Sequence, residues 1–231
     1  MPGEGIGRKI KNFSIIKLDE ANKMNHLTRF TDFLAPSYDL IFKTFWLGRE
    51  RNFRQKVIDL MDLSGDESIL DIGCGTGTLT SMIADKMNGR GGIFGVDLSP
   101  RMVELAKKKA SQNGRPVEYR VASSLALPFD DATFDAVVTS LVYHHLMSLV
   151  ERAKTLSEIW RVLKTGGRYV ATEFTKFTLG NLWVVHDSLI GGIGLFNTGL
   201  LEENGFHIRK RMETSRGIMI ILVAKAKGDC P

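Results

Sequence analysis

The sequence contains very little cysteine, and this scarcity excludes several classes of protein. Among its 231 residues only Cys74 and Cys230 are cysteines. Cys74 lies in a glycine-rich turn and Cys230 is next to last, so neither a disulfide framework nor a cysteine-based zinc site is expected. With so few cysteines and no signal sequence, we expect a cytoplasmic protein without a metal site.

The sequence also lacks a hydrophobic run of the roughly 18 residues that a membrane-spanning helix requires. The nearest candidate extends from Leu179 to Phe196 and is interrupted by polar residues such as Asn181, His186 and Asp187. We interpret this stretch as a segment that covers a pocket. Peripheral contact with a membrane surface is the alternative.

The composition is that of an ordinary globular protein, with 43% hydrophobic and 25% charged residues. The net charge of +5 and the pI of about 9.2 indicate a mildly basic surface. Attraction to an anionic partner, such as lipid headgroups, nucleic acid or an acidic substrate, is the second interpretation. The basic residues cluster near the two ends of the chain, where a solvated, flexible segment would explain them equally well.

Short apolar runs alternate with segments of helical spacing from residue 68 onward. The predicted strands cover 68–72, 92–96, 117–121, 136–140 and 168–174, and the predicted helices cover 78–87, 100–113 and 149–163. This alternation predicts a mostly parallel sheet with helices on both faces. Two last runs, 206–212 and 218–224, predict a hairpin that adds an antiparallel strand at the sheet edge. Ligands of such sheets bind beyond the carboxyl ends of the strands.

A glycine-rich loop follows the first predicted strand and carries the strongest signal. It reads Asp71-Ile72-Gly73-Cys74-Gly75-Thr76-Gly77-Thr78 and leads into the next helix. Dinucleotide-binding folds use a similar loop, but they place their third glycine where this chain has Thr78. A carboxylate at position 71 would repel a pyrophosphate and suits a ligand with a positive charge.

A second signal is Asp97, which ends the second predicted strand about twenty residues beyond the glycine loop. A carboxylate at this position can accept hydrogen bonds from both hydroxyl groups of a ribose. Ser99 and Pro100 follow it and predict the start of the next helix.

Two further segments follow along the chain. The first comprises Ala122–Phe129 and Phe134–Val138, and the second is Glu158–Gly167. With the glycine loop and Asp97, they resemble the class I S-adenosylmethionine-dependent methyltransferases. Within that family the chain is most similar to the ubiquinone and menaquinone biosynthesis branch, the methyltransferase type 11 domain. Ala35-Pro36-Ser37-Tyr38-Asp39, upstream of the glycine loop, also resembles that branch.

The resemblance implies a doubly wound, mostly parallel, seven-stranded sheet with one antiparallel edge strand, the Rossmann-like methyltransferase fold, preceded by a helical lid. We therefore predict a basic, flexible N-terminus over 1–23, a helical lid over 24–62 and a methyltransferase domain over 63–228. Within that domain, 175–199 would be a variable segment that covers the substrate.

The resemblance also assigns roles in binding S-adenosyl-L-methionine, which would leave as S-adenosyl-L-homocysteine. Asp71 would lie near the methionine amino group and Asp97 would hold the ribose. Leu98 and Met102 would flank the adenine, and Ser123 stands where many relatives carry an acidic residue that binds the adenine amino group. The complete set of predicted cofactor-binding residues is Tyr38, Asp71, Gly73, Cys74, Gly75, Gly77, Asp97, Leu98, Met102, Ser123, Ser124 and Ser140.

Residues after the fourth strand, Leu141 to His145, would face the transferred methyl group. Tyr143, His144 and His145 are the candidates for catalysis, although the histidines could simply frame the pocket. The predicted substrate contacts are Tyr38, Tyr143, His144, Trp183 and His186.

A sulfonium methyl is already activated, so orientation and a preorganised electrostatic environment supply most of the catalysis. A base is needed only if the acceptor must lose a proton. We expect a small-molecule acceptor, quinone-like or lipid, methylated on carbon or oxygen by a monomer or homodimer. The alternatives are a polar amine or thiol acceptor, RNA or protein methylation, and a cofactor-binding partner protein without transferase activity.

Overall fold

The computed structural model describes residues 32–33, 35–45, 48–114, 116–146, 148–174, 198–213 and 218–225. The described residues form one seven-stranded sheet. Its strands are β1 (Ile69–Ile72), β2 (Ile93–Asp97), β3 (Val117–Val121), β4 (Phe134–Ser140), β5 (Leu163–Phe174), β6 (Phe206–Glu213) and β7 (Ile218–Lys225). The predicted α/β fold class is confirmed.

The strand order is β3-β2-β1-β4-β5-β7-β6. The first five strands in this order are mutually parallel, and β7 runs antiparallel to both β5 and β6. The predicted antiparallel strand is therefore present, but it lies one position inside the edge, and β6 forms the edge itself. The compositions explain this order, because β7 reads IMIILVAK and β6 reads FHIRKRME. An apolar strand gains from burial within a sheet, whereas charged side chains protect an edge.

The helices are α1 (Tyr38–Phe45), α2 (Glu50–Met61), α3 (Thr78–Ala84), α4 (Pro100–Gln112), α5 (Leu149–Val162) and α6 (Thr198–Glu203). The N-cap of α4 is Ser99, whose hydroxyl accepts the Met102 N–H, and Pro100 occupies the first turn as predicted. Helix α5 begins with a capping box between Ser148 and Glu151.

The predicted boundary between α5 and β5 is wrong. Helix α5 ends at Val162, and Leu163 already has extended backbone and pairs with Phe134. Gly166, with φ +77°, and Gly167 lie where the β4–β5 register shifts, rather than closing the helix. The fully buried Leu163 side chain explains the early strand start, because it belongs to the main core cluster.

The predicted N-terminal lid divides into two different parts. Phe53, Val57 and Met61 of helix α2 belong to a core cluster that also contains Ile69 of β1 and Ile83 of α3. Helix α2 is thus one of the layers that cover the sheet. Among the described lid residues, Tyr38 at the start of α1 lines the candidate site.

Strand β1 is buried along its whole length and separates the two halves of the sheet. The chain passes from β1 to β2 on one side and later returns to β4 on the other. This reversal opens a crevice at the carboxyl ends of β1, β2 and β4, where ligands of open α/β sheets bind. Among the residues described, no helix is long and apolar enough to cross a membrane.

Candidate active site

A cavity opens at the carboxyl ends of the central strands and contains about 910 Å³ of empty space, counting the part open to solvent. Its size is that of a small-molecule or cofactor site. The described residues that line it are Tyr38, Ile72, Gly73, Gly75, Asp97, Leu98, Met102, Ala122, Ser123, Ser124, Leu125, Ser140, Leu141, Val142, His145 and Leu146.

The glycine loop forms the floor of this cavity and requires glycine for two reasons. Gly73 has φ +71°, and a Cβ atom there would lie 2.5 Å from the Val142 Cγ2 atom. Gly77 has φ +75°, and its Cβ would lie 2.5 Å from the Tyr119 hydroxyl. A side chain at either position would therefore meet strained backbone as well as a steric clash. Glycine at these positions therefore allows the loop to pack against Val142 and Tyr119.

Asp97 ends β2 beside this loop and lines the cavity. Its Oδ2 accepts the Gly75 N–H and its Oδ1 accepts the Ser99 N–H, each at 2.9 Å. Each carboxylate oxygen has further lone pairs, so both can still accept a hydrogen bond from a ligand. Burial raises the pKa of Asp97. The arrangement fits a ligand that presents two neighbouring hydroxyl groups.

Asp71 lies behind the loop and is almost completely buried, at 1% exposure. The Thr80 hydroxyl donates to its Oδ2 at 2.6 Å. Burial raises the pKa of Asp71 to about 7, and the charge of Asp97 acts in the same direction. Arg54 opposes that rise only weakly. A buried carboxylate in this state would be stabilised by a cation placed near it.

Helix α1 is held against the glycine loop by the side chain of Asp39. This carboxylate accepts the Thr76 hydroxyl at 2.6 Å and the Lys109 ammonium at 2.7 Å. Partial burial opposes ionisation, but these hydrogen bonds hold the pKa of Asp39 below its ordinary value. The anchoring places the neighbouring Tyr38 ring on the cavity wall.

The end of the cavity near β2 and β3 combines apolar and hydroxyl groups. Leu98, Met102, Ser123 and Ser124 all line it. The Ser123 hydroxyl accepts the Leu125 N–H at 3.2 Å, and the Ser124 hydroxyl shares a hydrogen bond with Thr155 at 3.0 Å. Ser123 keeps a donor and a second lone pair for a ligand.

The opposite end of the cavity follows β4 and is mainly apolar. Leu141, Val142 and Leu146 line it together with the His145 ring. Leu141 has φ +60°, a left-handed backbone conformation that is strained for leucine and is found preferentially at functional sites. The exposed surface of the His145 ring borders the cavity. The His145 side chain remains open to solvent on one side. The protein packed around it and the neighbouring His144 lower its pKa, so the imidazole is neutral at physiological pH.

Known proteins with similar sequences identify the family to which this chain belongs. The model of the family described as "Methyltransferase domain" matches residues 69–167. A demethylmenaquinone methyltransferase from Thermus thermophilus is 33% identical over 171 residues, which cover 74% of this chain and 76% of that protein. The chain belongs to the S-adenosylmethionine-dependent methyltransferases.

A second relative and one solved structure extend the comparison. A ubiquinone/menaquinone biosynthesis C-methyltransferase from Geobacter sp. is 36% identical over 63% of this chain and 62% of its own length. The geranyl diphosphate C-methyltransferase of Streptomyces coelicolor, solved with S-adenosyl-L-homocysteine, superposes with a TM-score of 0.63. That match is 16% identical in sequence and covers 78% of this chain and 79% of the other, so it shows the common fold.

The residues of the methyltransferase fit its cofactor, S-adenosyl-L-methionine. Gly73 lies on the cavity floor without a side chain that would clash with Val142. Asp97 lines the cavity, and its carboxylate keeps lone pairs for the hydroxyl groups of a ligand. We expect Asp97 to hold the ribose, Leu98 and Met102 to contact the adenine, and Ser123 to bind its amino group. We also expect the buried Asp71 to attract the ammonium of the methionine part.

The structure brings ten of the predicted residues together on the cavity wall: Tyr38, Gly73, Gly75, Asp97, Leu98, Met102, Ser123, Ser124, Ser140 and His145. Five others are not on it. Asp71, in β1, and Gly77, at the end of the glycine loop, do not line the cavity. Cys74 is a buried side chain that packs with Tyr119, and burial raises its thiol pKa well above the ordinary range.

Tyr143 and His144, predicted to contact substrate, also point away from the cavity. Tyr143 is buried and its hydroxyl accepts a hydrogen bond from the Tyr169 hydroxyl at 3.1 Å, so the structure gives a catalytic Tyr143 no support. The His144 ring contacts Glu173 at 3.0 Å. Trp183 and His186 lie outside the described residues, as does most of the predicted segment 175–199.

Sequence reasoning missed several apolar wall residues, namely Ile72, Ala122, Leu125 and Leu146. It also missed the anchoring role of Asp39. The adjacency of Asp39 to the predicted lid residue Tyr38 was the available signal, but its partner Lys109 is 70 residues distant.

Proposed function

We propose that this methyltransferase methylates a carbon atom of an apolar, hydroquinone-like acceptor. The observation that carries the proposal is the wall after β4, where the apolar residues Leu141, Val142 and Leu146 line the cavity together with the imidazole of His145. An aromatic ring could pack on the apolar side chains while one hydroxyl group reaches the imidazole. Two relatives that are named for methylating demethylmenaquinone or ubiquinone precursors support this class of acceptor.

When bound, S-adenosyl-L-methionine supplies a methyl group on a sulfonium, which is activated for in-line displacement. The protein must orient the acceptor carbon and exclude water, and these two effects lower the barrier most. Tyr38 and the apolar wall perform this positioning. His145, neutral at physiological pH, accepts a hydrogen bond from the acceptor hydroxyl and so increases electron density on the neighbouring ring carbon. The acceptor carbon gains the methyl group and loses its ring hydrogen as a proton to solvent, and S-adenosyl-L-homocysteine leaves. His145 is therefore needed as a hydrogen-bond acceptor and not as a base.

The acceptor class also suggests where the enzyme works. A quinone precursor with a long apolar tail resides in a membrane, and the chain carries a net charge of +5 that would favour an anionic lipid surface. We therefore expect a cytoplasmic enzyme with peripheral membrane contact. Co-sedimentation with anionic but not neutral vesicles would support this expectation, and equal behaviour with both would contradict it.

The test of the proposed function offers several acceptors to one enzyme preparation. Purified protein receives cofactor with a labelled methyl group and a demethylated naphthohydroquinone, a mixture of polar amines and thiols, RNA, or protein. Label in the organic extract of the hydroquinone reaction alone supports the proposal. Label confined to polar metabolites, RNA or protein contradicts it, and tight cofactor binding without transfer to any acceptor indicates a non-catalytic partner protein.

Two variants control this experiment. Asp97→Ala removes the carboxylate that lines the cavity and should abolish transfer at low cofactor concentration. Asp130→Ala removes an exposed carboxylate before β4 that lies outside the site and should transfer label as the parent does.

A further inference from the structure

The segment between β4 and α5 has two sides with different surroundings. Its residues Leu141, Val142, His145 and Leu146 line the cavity, whereas Tyr143 and His144 do not. A 3₁₀ turn over Tyr143–His145 produces this division. The position of the His145 ring therefore depends on the contacts that the turn makes on the side facing away from the cavity.

Glu173 holds it from the neighbouring strand. The parallel pairing of β4 and β5 aligns Ser140 with Thr172, so Glu173 lies beside the residue where β4 ends. Its side chain is completely buried, at 0% exposure. One carboxylate oxygen contacts the His144 Nδ1 at 3.0 Å, and the other accepts the His144 backbone N–H at 3.2 Å.

The two contacts have a definite chemical consequence. A carboxylate only accepts hydrogen bonds, so the His144 Nδ1 must carry the proton that lies between the two groups. The ring and the backbone of one residue are then tied to a single buried carboxylate. Leaving such a carboxylate without these partners would be costly, so the turn cannot leave this position easily.

Arg152 fixes the far end of the same segment. This buried residue of α5 donates from its Nε to the Leu146 carbonyl at 3.0 Å. Its positive charge and the negative charge of Glu173 stabilise each other, since each lies within the field of the other. The segment is thus held at His144 by Glu173 and at Leu146 by Arg152, and the strained backbone of Leu141 precedes both.

We propose that Glu173 is a positioning residue for methyl transfer, which acts through His144 to hold the His145 ring against the cavity. The two imidazole rings lie 3.9 Å apart between centroids, so movement of His144 displaces His145 directly. This inference rests on the proposed function, in which His145 contacts the acceptor hydroxyl. It assigns Glu173 no contact with either substrate.

A purely structural role for Glu173 would also explain its burial, and the experiment must separate the two roles. Glu173→Gln keeps the size of the side chain but cannot present two accepting oxygens. We expect kcat to fall by about 10- to 100-fold, the effect of misplacing a group in the site, while the Kd for the cofactor stays unchanged. Glu173→Asp restores a carboxylate and should recover part of kcat.

The matched control is Glu104→Gln, the same change at an exposed position of α4, which should leave kcat unchanged. Circular dichroism establishes that each variant is folded before kinetics. If Glu173→Gln retains full kcat, or loses cofactor affinity in proportion to kcat, the positioning role is wrong.

A second measurement needs no acceptor, so it stays informative if the proposed function fails. Nitrogen NMR of ¹⁵N-histidine-labelled protein reports which ring nitrogen of His144 carries the proton. The parent should show protonated Nδ1, and Glu173→Gln should change both this signal and that of His145. An Nε2-protonated His144 in the parent, or an unaltered His145 signal in the variant, would overturn the proposal.

Discussion

Replacing Asp71 by asparagine should stabilise the cofactor-free protein while weakening cofactor binding. Asp71 is buried, and its pKa is raised to about 7. An unfolded chain ionises the same side chain near pH 3.9. A group whose pKa is higher in the folded state stabilises the fold at low pH, and this contribution is lost as the pH rises toward the folded pKa.

The magnitude follows from the difference between the two pKa values. One pKa unit corresponds to about 1.4 kcal/mol, so an ionised Asp71 costs the folded protein roughly 4 kcal/mol above pH 7. Asparagine cannot ionise, and its carbonyl oxygen can still accept the Thr80 hydroxyl. The Asp71→Asn variant should therefore be as stable as the parent near pH 4. Its stability should exceed that of the parent progressively up to about pH 8, where its Tm should be higher by on the order of 10 °C.

Urea unfolding of parent and variant across this pH range, without cofactor, measures the effect. Asp130→Asn, at an exposed position, serves as control and should change nothing. In the same variant the Kd for S-adenosyl-L-methionine at pH 8 should rise, because the ammonium loses its carboxylate partner. A variant that is equally destabilised at every pH would refute the view that Asp71 is held as a costly buried charge.

Three further predictions concern the cavity and its lid. Asp97→Ala should weaken cofactor binding by about 1–3 kcal/mol, because two ligand hydroxyls lose their acceptor. Calorimetric titration of this variant and of the control Asp130→Ala with cofactor measures the difference. Equal affinities would show that Asp97 does not contact the cofactor. Gly73→Ala should abolish cofactor binding and lower Tm. Adding Val142→Ala to that variant should recover only part of the stability, because it relieves the steric clash while the φ of +71° remains. Full recovery in thermal melts would show that backbone strain is unimportant. Asp39→Asn should raise the cofactor dissociation rate in stopped-flow measurements with little change in Tm, since it releases α1 from the glycine loop; an unchanged rate would mean that α1 does not retain the ligand.

The sequence was most informative where one short segment contains the whole signal. The glycine loop and Asp97 are local features, since strand, loop and carboxylate follow one another along the chain. Ser99 and Pro100 likewise start α4 as predicted, because a helix cap involves only neighbouring residues.

Pairings between distant segments could not be derived in this way. His144 and Glu173 are 29 residues apart and meet only because β4 and β5 are adjacent. The hairpin of β6 and β7 was predictable from its pattern, but which strand pairs with β5 depends on the burial that each one gains. The start of β5 at Leu163 was missed for a similar reason, since its side chain enters the core before the glycines that usually mark a helix end.

The apolar wall of the cavity could not be predicted from the sequence for the same reason. Leu125 and Leu146 are ordinary hydrophobic residues in the sequence and become wall residues only through packing. Two adjacent histidines looked alike in the sequence, yet the turn directs His145 to the cavity and His144 to Glu173.

The most direct test of the central claim identifies the methylated product of a defined acceptor. Purified enzyme and S-adenosyl-L-methionine are incubated anaerobically with one demethylated naphthoquinone, either reduced to the hydroquinone or left oxidised, and the product is analysed by mass spectrometry and NMR. We expect a new methyl group on a ring carbon, formed from the hydroquinone and not from the quinone. Methylation on oxygen, or equal turnover of both redox forms, would contradict it.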